Sequence, residues 1–441
     1  MIDNGSQPLR YLTPEIPGVG GVLRERPEDF LVEEQPLYPP SGVGEHLYLF
    51  IEKRELTTSE VVGRLRKHLR VGHRDVGFAG LKDKHAITRQ LFSVWMPGRE
   101  PEPGQLERID SDRCKVLWAS RHGNKLRRGH HAGNRFVIRI RQVKPTDVVH
   151  AKRVLDVLAA RGMPNYLGEQ RFGYRGNNAV LGRLLLQGKW QAFLDELLGA
   201  ACEQDSPGLA QAREAYRRGE LRAALDLWPR AQRHERGPLD ALRQGHDPQR
   251  AVMTLDRLQR DFLISAVQSA AFNAVLDRRL REGAFAALLA GDLAWKHEAR
   301  AVFAVDEATA ELENGPVRAD GTGGRVAACA VSPTGPMWGV EMQRCAAGSA
   351  AFVMEHEALA ATGLSESDLA GGSQGKALGL RRPLREFIAD ADIAGGADEH
   401  GPYIKVAFTL PRGVFATAAL REIMKNDADG GGAESDTAEG E

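Results

Sequence analysis

A chain of 441 residues is longer than one average domain, so two or three domains, each able to bury its own core, are expected. Its 59 basic and 59 acidic residues cancel, which excludes a uniformly basic nucleic-acid binder: a polyanion would have to be met by a local concentration of cations. The cysteines Cys114, Cys202, Cys329 and Cys345 lie far apart without a CxxC pair, which argues against a zinc site or a disulfide framework and for reduced thiols.

In chain order, the start at Met1, Ile2 and Asp3 lacks the basic and apolar regions of a signal peptide. No apolar run approaches bilayer length, so a soluble cytoplasmic protein without a membrane partner is expected. Residues up to about Glu25 are polar and rich in Pro and Gly, as in an extended arm that packs on the body. Gly18-Val19-Gly20-Gly21 has no clear strand before it and no helix after it, so it is not read as a dinucleotide loop. Arg26-Pro27-Glu28-Asp29 is a turn signal, and Phe30 opens the strand that follows. A second strand is expected at 47–51. Thr57-Thr58-Ser59-Glu60 has capping-box spacing and starts a helix that buries Val61, Val62, Leu65 and Leu69 while turning Arg64, Lys67 and Arg70 outward.

Val76-Gly77-Phe78-Ala79-Gly80 and Leu91-Phe92-Ser93-Val94-Trp95 read as buried strands. Between them, Lys82-Asp83-Lys84 places one carboxylate on a connection held by a rigid frame and open to a ligand. The flanking lysines would favour its charged form and draw a phosphate toward it. A solvated turn with scattered charge fits the same residues. From Asp112 to Asp147 no acidic residue intervenes, while Arg113, Lys115, Arg121, Lys125, Arg127, Arg128, Arg135, Arg139, Arg141 and Lys144 accumulate, the local footprint that phosphate binding needs. His122, His130 and His131 lack ligand-spaced partners and read as phosphate-facing or solvated. At the end of this block Phe136, Ile138 and Ile140 alternate with Arg135, Val137, Arg139 and Arg141, a strand with one apolar and one basic face.

A helix is expected at 148–160 with Gly162 ending it, then helices between Tyr174 and about Arg257, and a long helix through 261–280 whose Ser265, Gln268, Ser269 and Asn273 fit a solvent face. Short strands separated by Gly and Pro fill 295–342. Gly372-Ser373-Gln374-Gly375-Lys376-Ala377 fails as a phosphate loop, because Ala370 and Ala377 stand where it requires Gly and Ser or Thr. Near Arg381 the chain is expected to return to the first domain, with a strand at 403–410 and a helix from about Phe415 to Lys425. The tail after Asn426 has the composition of disorder.

The run Gly77-Phe78-Ala79-Gly80-Leu81-Lys82-Asp83-Lys84-His85-Ala86-Ile87-Thr88 resembles the signature of the tRNA pseudouridine synthase D (TruD) family. Pro27-Glu28-Asp29-Phe30, the Asn-x-Phe of Asn134 and Phe136, the stretch 162–173 and the Pro411-Arg412-Gly413-Val414-Phe415 turn are similar to further motifs of that family, in the family's order. Leu167 departs mildly, since an aromatic often stands there. The resemblance implies Asp83 as the nucleophile, Phe30, Phe136 and Phe415 around the target base, Asn134 on the nucleotide, and Lys82 and Lys84 toward phosphates. It also implies a mixed α/β (α+β) fold: a catalytic domain of the pseudouridine synthase type around a largely antiparallel sheet (1–161 and 387–425), and a smaller inserted α/β domain (162–386) set off by a basic cleft. The implied partner is tRNA, with uridine 13 as target, and neither a cofactor nor a metal. A flipped base, an activated carboxylate and rings to hold free uracil are what such an isomerisation needs. Two other classes fit the residues alone: an RNA-binding module in which Asp83 is structural, and a two-carboxylate hydrolase with Glu169 as second acid.

Overall fold

A computed structural model of the protein describes residues 9–200, 202–370 and 377–426, so residues 372–376 and the acidic tail beyond 426 lie outside the described residues. Contacts divide the chain into two units: Thr13–Met163 with the segment from Glu386 onward, and Pro164–Arg385 with the segment that ends at Leu12.

The first unit is built on an eight-stranded sheet. Its strands are β1 (Phe30–Pro36), β2 (His46–Arg54), β3 (Val76–Phe78), β4 (Ile87–Trp95), β5 (Cys114–His122), β6 (His131–Arg141), Ala389–Asp398 and Gly401–Pro411. From one edge the order runs Ala389–Asp398, Gly401–Pro411, β6, β1, β4, β2, β5, with β3 paired to β4. Only β1 and β4 run parallel; the other pairings are antiparallel, so the largely antiparallel sheet is borne out. The helix α1 (Thr58–Leu69) begins with the expected capping box between Thr57 and Glu60. Its Val61, Val62, Leu65 and Leu69 pack on Leu47, Leu49, Ile51, Phe92 and Val94 of the sheet, each buried side chain contributing roughly 1.5–3 kcal/mol. The helix α2 (Val148–Arg161) ends at Gly162, whose φ of +79° is the left-handed conformation glycine adopts most readily. It packs against the C-terminal helix Ala416–Met424. The arm expected at the N-terminus does pack on this body: Val19 N donates to Ile423 O, and Val22 bridges Arg141.

Strand β6 departs from expectation at its end. Phe136, Ile138 and Ile140 are buried as the alternation predicts, but Arg141, placed on the basic face, is 1% exposed. The arm bridges its backbone at Val22, and its guanidinium donates to Asp29 (2.7 Å) and to Asp398 (2.6 Å).

The second unit carries a four-stranded sheet in the order Leu380–Pro383, Val331–Met337, Leu293–Lys296, Ala301–Ala304. Leu380–Pro383 belongs to this sheet, and the chain passes to the first unit after Arg385. Expected as the smaller part, this unit is the longer one, because the helices that fill most of it occupy long stretches of chain. On the long helix Arg257–Arg281, Ser269 and Asn273 are buried and do not face solvent. Asn273 Oδ1 accepts from Leu167 N (3.0 Å), its amide donates to Leu167 O (2.9 Å), and Gln268 donates to Trp338 O (2.7 Å). No helix among the described residues is long and apolar enough to cross a membrane.

Candidate active site

The connection from β3 to β4 is fixed along its backbone by buried polar groups. Ala79 O accepts from Gly129 N (2.7 Å) and Gly80 O from the Gln90 amide (3.0 Å). Lys82 N donates to Thr58 Oγ1 (3.1 Å), which itself donates to Gln90 Oε1 (3.1 Å), and both side chains are buried. Lys53, reaching from β2, donates to Asp83 O (2.8 Å), Lys82 O (3.2 Å) and Leu56 O (2.6 Å). Against this fixed backbone the Asp83 side chain is 55% exposed. A rigid main chain with an open carboxylate is the arrangement a nucleophile needs.

That carboxylate is paired with a cation from the N-terminal arm. Arg24 Nη2 donates to Asp83 Oδ2 at 2.7 Å, and the same guanidinium lies 4.4 Å from the centre of the Phe30 ring. Arg24 adopts φ +59°, a conformation uncommon outside glycine, which turns the arm's side chain back over β1.

Lys82, expected toward phosphates, is turned inward. Its side chain is 7% exposed; the ammonium lies 3.2 Å from Glu34 Oε2 and donates to Asn134 Oδ1 at 2.9 Å. Alternation along β1 explains this, since Phe30, Val32 and Glu34 all point to the buried side, and a buried carboxylate requires a cation. Burial raises the pKa of Glu34, and the attraction of Lys82 opposes that rise. Lys84 is exposed.

The rings meet only in part. Phe30 and Phe136 are buried and in edge contact, their centres 6.4 Å apart, and Phe136 touches Phe408 at 5.7 Å. Register makes the cluster: Phe136 lies opposite Val32 on one side and Phe408 on the other, and Asn134 opposite Glu34 and Leu410. Phe415 is half-buried at the N-cap of Ala416–Met424, and these ring contacts do not extend to it.

Much of the basic block is engaged within the protein. Arg113 donates to Glu55 O and Lys125 to Arg74 O; Arg121 takes Met96 O (3.1 Å) and Glu100 (2.9 Å); Arg139 reaches Asp398. Arg127 and Arg128 are exposed, on the loop whose Gly129 meets Ala79. The footprint is therefore narrower than the sequence suggests.

Lys53 and Glu34 were legible as signals that the reading of motifs passed over. Each continues a buried alternation, Leu47, Leu49, Ile51, Lys53 in one strand and Phe30, Val32, Glu34 in the other, with a charge where an apolar residue is due. Arg24 gave no signal.

Residues 8–423 match the family model described as tRNA pseudouridine synthase D (TruD). The chain is 41% identical over 424 residues to tRNA pseudouridine synthase D of Geobacter sulfurreducens, covering 96% of this chain and 98% of that one. It is 40% identical over 419 residues to the protein of the same name from Geobacter metallireducens, covering 94% and 98%. A crystal structure from Methanosarcina mazei described as a TruD is 24% identical and superposes with a TM-score of 0.79 over 95% of this chain and 96% of that one, which shows the shared fold.

Proposed function

We propose, from the premise that this chain belongs to the tRNA pseudouridine synthase D (TruD) family and is a tRNA pseudouridine synthase, an isomerase, that Asp83 is its nucleophile and uridine 13 of tRNA its target. The observation that carries this reading is the Asp83 carboxylate, open to solvent on a main chain held by Lys53, Thr58 and Gln90 and paired with Arg24. The uridine leaves its stack, the glycosidic N–C bond breaks, the uracil turns while held, and carbon 5 bonds to the sugar and gives up its proton while the freed ring nitrogen takes one up. Whether the Asp83 oxygen bonds to the uracil ring or to the sugar carbon, its charge is lost as the bond forms and restored as it breaks. Arg24 then stabilises the restored anion.

Around it, Phe30 and Phe136 supply ring surface and Phe415 closes the pocket. Asn134, whose Oδ1 accepts from Lys82, is left with its amide hydrogens to donate to a uracil carbonyl. Lys84, Arg127 and Arg128 take the phosphates, and Lys82 acts from beneath by holding Asn134 and Glu34. Residues 1–161 and 387–425 form the catalytic domain and 162–386 the inserted domain of a cytoplasmic enzyme.

Incubating the purified protein with an unmodified tRNA transcript tests the reading. Pseudouridine at position 13, with no change in RNA mass and no free uracil, is expected; pseudouridine elsewhere removes the target assignment. Released base would favour the hydrolase, with Glu169 as its second acid.

A further inference from the structure

Lys53 is not among the residues that the motifs mark, yet it is the group on which the conformation at Asp83 converges. It lies on β2, opposite Thr88 of β4 and Cys114 of β5, and is 1% exposed. Its three donors meet three main-chain carbonyls: Leu56 at 2.6 Å, Asp83 at 2.8 Å and Lys82 at 3.2 Å. Two of these belong to consecutive residues of the loop, so one ammonium sets the direction of both peptide planes around the Asp83 Cα and hence where its carboxylate points. For stability alone the arrangement is poor. A buried charge whose direct partners are neutral carbonyls keeps most of its desolvation cost, and an apolar side chain at this inward position would continue Leu47, Leu49 and Ile51.

We infer that Lys53 is a positioning residue for the isomerisation, holding the Asp83 carboxylate in its attacking geometry only while its ammonium is protonated. The inference rests on the assignment of Asp83 as nucleophile. The reason for the condition is a count of hydrogens: an ammonium has three for three carbonyls, whereas a neutral amine has two and turns a lone pair toward the third. Charged and titratable groups around it are Asp83 and Lys82 from the loop, Glu60 from α1 and Cys114 from β5. Burial lowers the pKa of Lys53 to about 8, with Asp83 opposing the fall and Lys82 adding to it. Burial raises that of Cys114. The site therefore holds the ammonium below about pH 8 and loses it as pH rises through that value.

The test measures single-turnover pseudouridine formation and tRNA affinity by the full chain, as wild type, Lys53→Met and Lys53→Arg, between about pH 6.5 and about pH 9. At neutral pH, Lys53→Met should form pseudouridine about 100-fold more slowly, the scale of a misplaced reacting group, with tRNA Kd within about threefold of wild type. The wild-type rate should fall as pH passes about 8, and any rate that Lys53→Arg retains should lack this fall, because a guanidinium does not titrate there. A Lys53→Met rate within about threefold of wild type overturns the inference. So does a wild-type profile that stays level through pH 8, which needs no variant to fold. Undiminished pseudouridine formation by Asp83→Asn is a separate failure, that of the nucleophile assignment.

Discussion

At the residue scale the site is a set of charges whose partners decide what each can do. Lys82 and Lys84 flank Asp83 alike in the sequence, but one is enclosed against Glu34 and Asn134 and the other is exposed. Replacing Lys82 by Met strands a buried carboxylate, which costs about 3–5 kcal/mol, measurable by urea denaturation at about pH 7.5. The sign of its pH dependence follows from Glu34, whose pKa burial raises. A carboxyl with a raised folded pKa stabilises the fold below its unfolded value and ceases to as pH rises through the folded one. The deficit of Lys82→Met should therefore shrink as pH falls, because a protonated Glu34 needs no cation. A deficit that grows toward acid pH would contradict this account of the pair. Arg24, which meets both Asp83 and Phe30, illustrates what a sequence hides at this scale: its role depends on one backbone conformation in an arm with no periodicity.

At the element scale, strand periodicity carried most of the reading. It located β6, an apolar run located β4, and the capping box at Thr57 located α1, because each pattern reports which residues of an element are buried. The same period marks Lys53 and Glu34 as charges on the buried face. Where the alternation misleads, at Arg141, a distant segment bridges the strand's end and two carboxylates receive the guanidinium, and no local pattern encodes either event. The polar stripe of Arg257–Arg281 misleads for the same reason, since the Leu167 backbone that Asn273 holds lies far away in sequence. Gly133 tests how tightly β6 is set against its neighbour. A Cβ there would stand 2.2 Å from Leu410 O, a backbone atom that cannot yield without parting the strands. Gly133→Ala is expected to lower stability by about 2–4 kcal/mol and, by shifting Asn134 and Phe136, to slow pseudouridine formation more than it weakens tRNA binding. A melting temperature equal to that of the wild type would contradict the close approach.

At the scale of the whole molecule, the even balance of 59 basic and 59 acidic residues forces RNA binding to rely on where cations remain open. Many of the block from Arg113 to Lys144 face the protein's own carbonyls or carboxylates, whereas Arg127 and Arg128 are exposed beside the loop that carries Asp83. Replacing either by Ala should weaken tRNA binding across tRNA sequences and reduce the salt dependence of log K by about one contact each. An unchanged slope would place the RNA elsewhere. Fold class and order of motifs were thus readable from the sequence, while the division of the cations into open and engaged was not, because it is settled by tertiary partners. The measurement that bears most directly on the account compares wild type with Asp83→Asn for pseudouridine formed in, and affinity for, the same unmodified tRNA. The account predicts no detectable pseudouridine with Kd within about threefold of wild type; pseudouridine formed by the variant at the wild-type rate would contradict it.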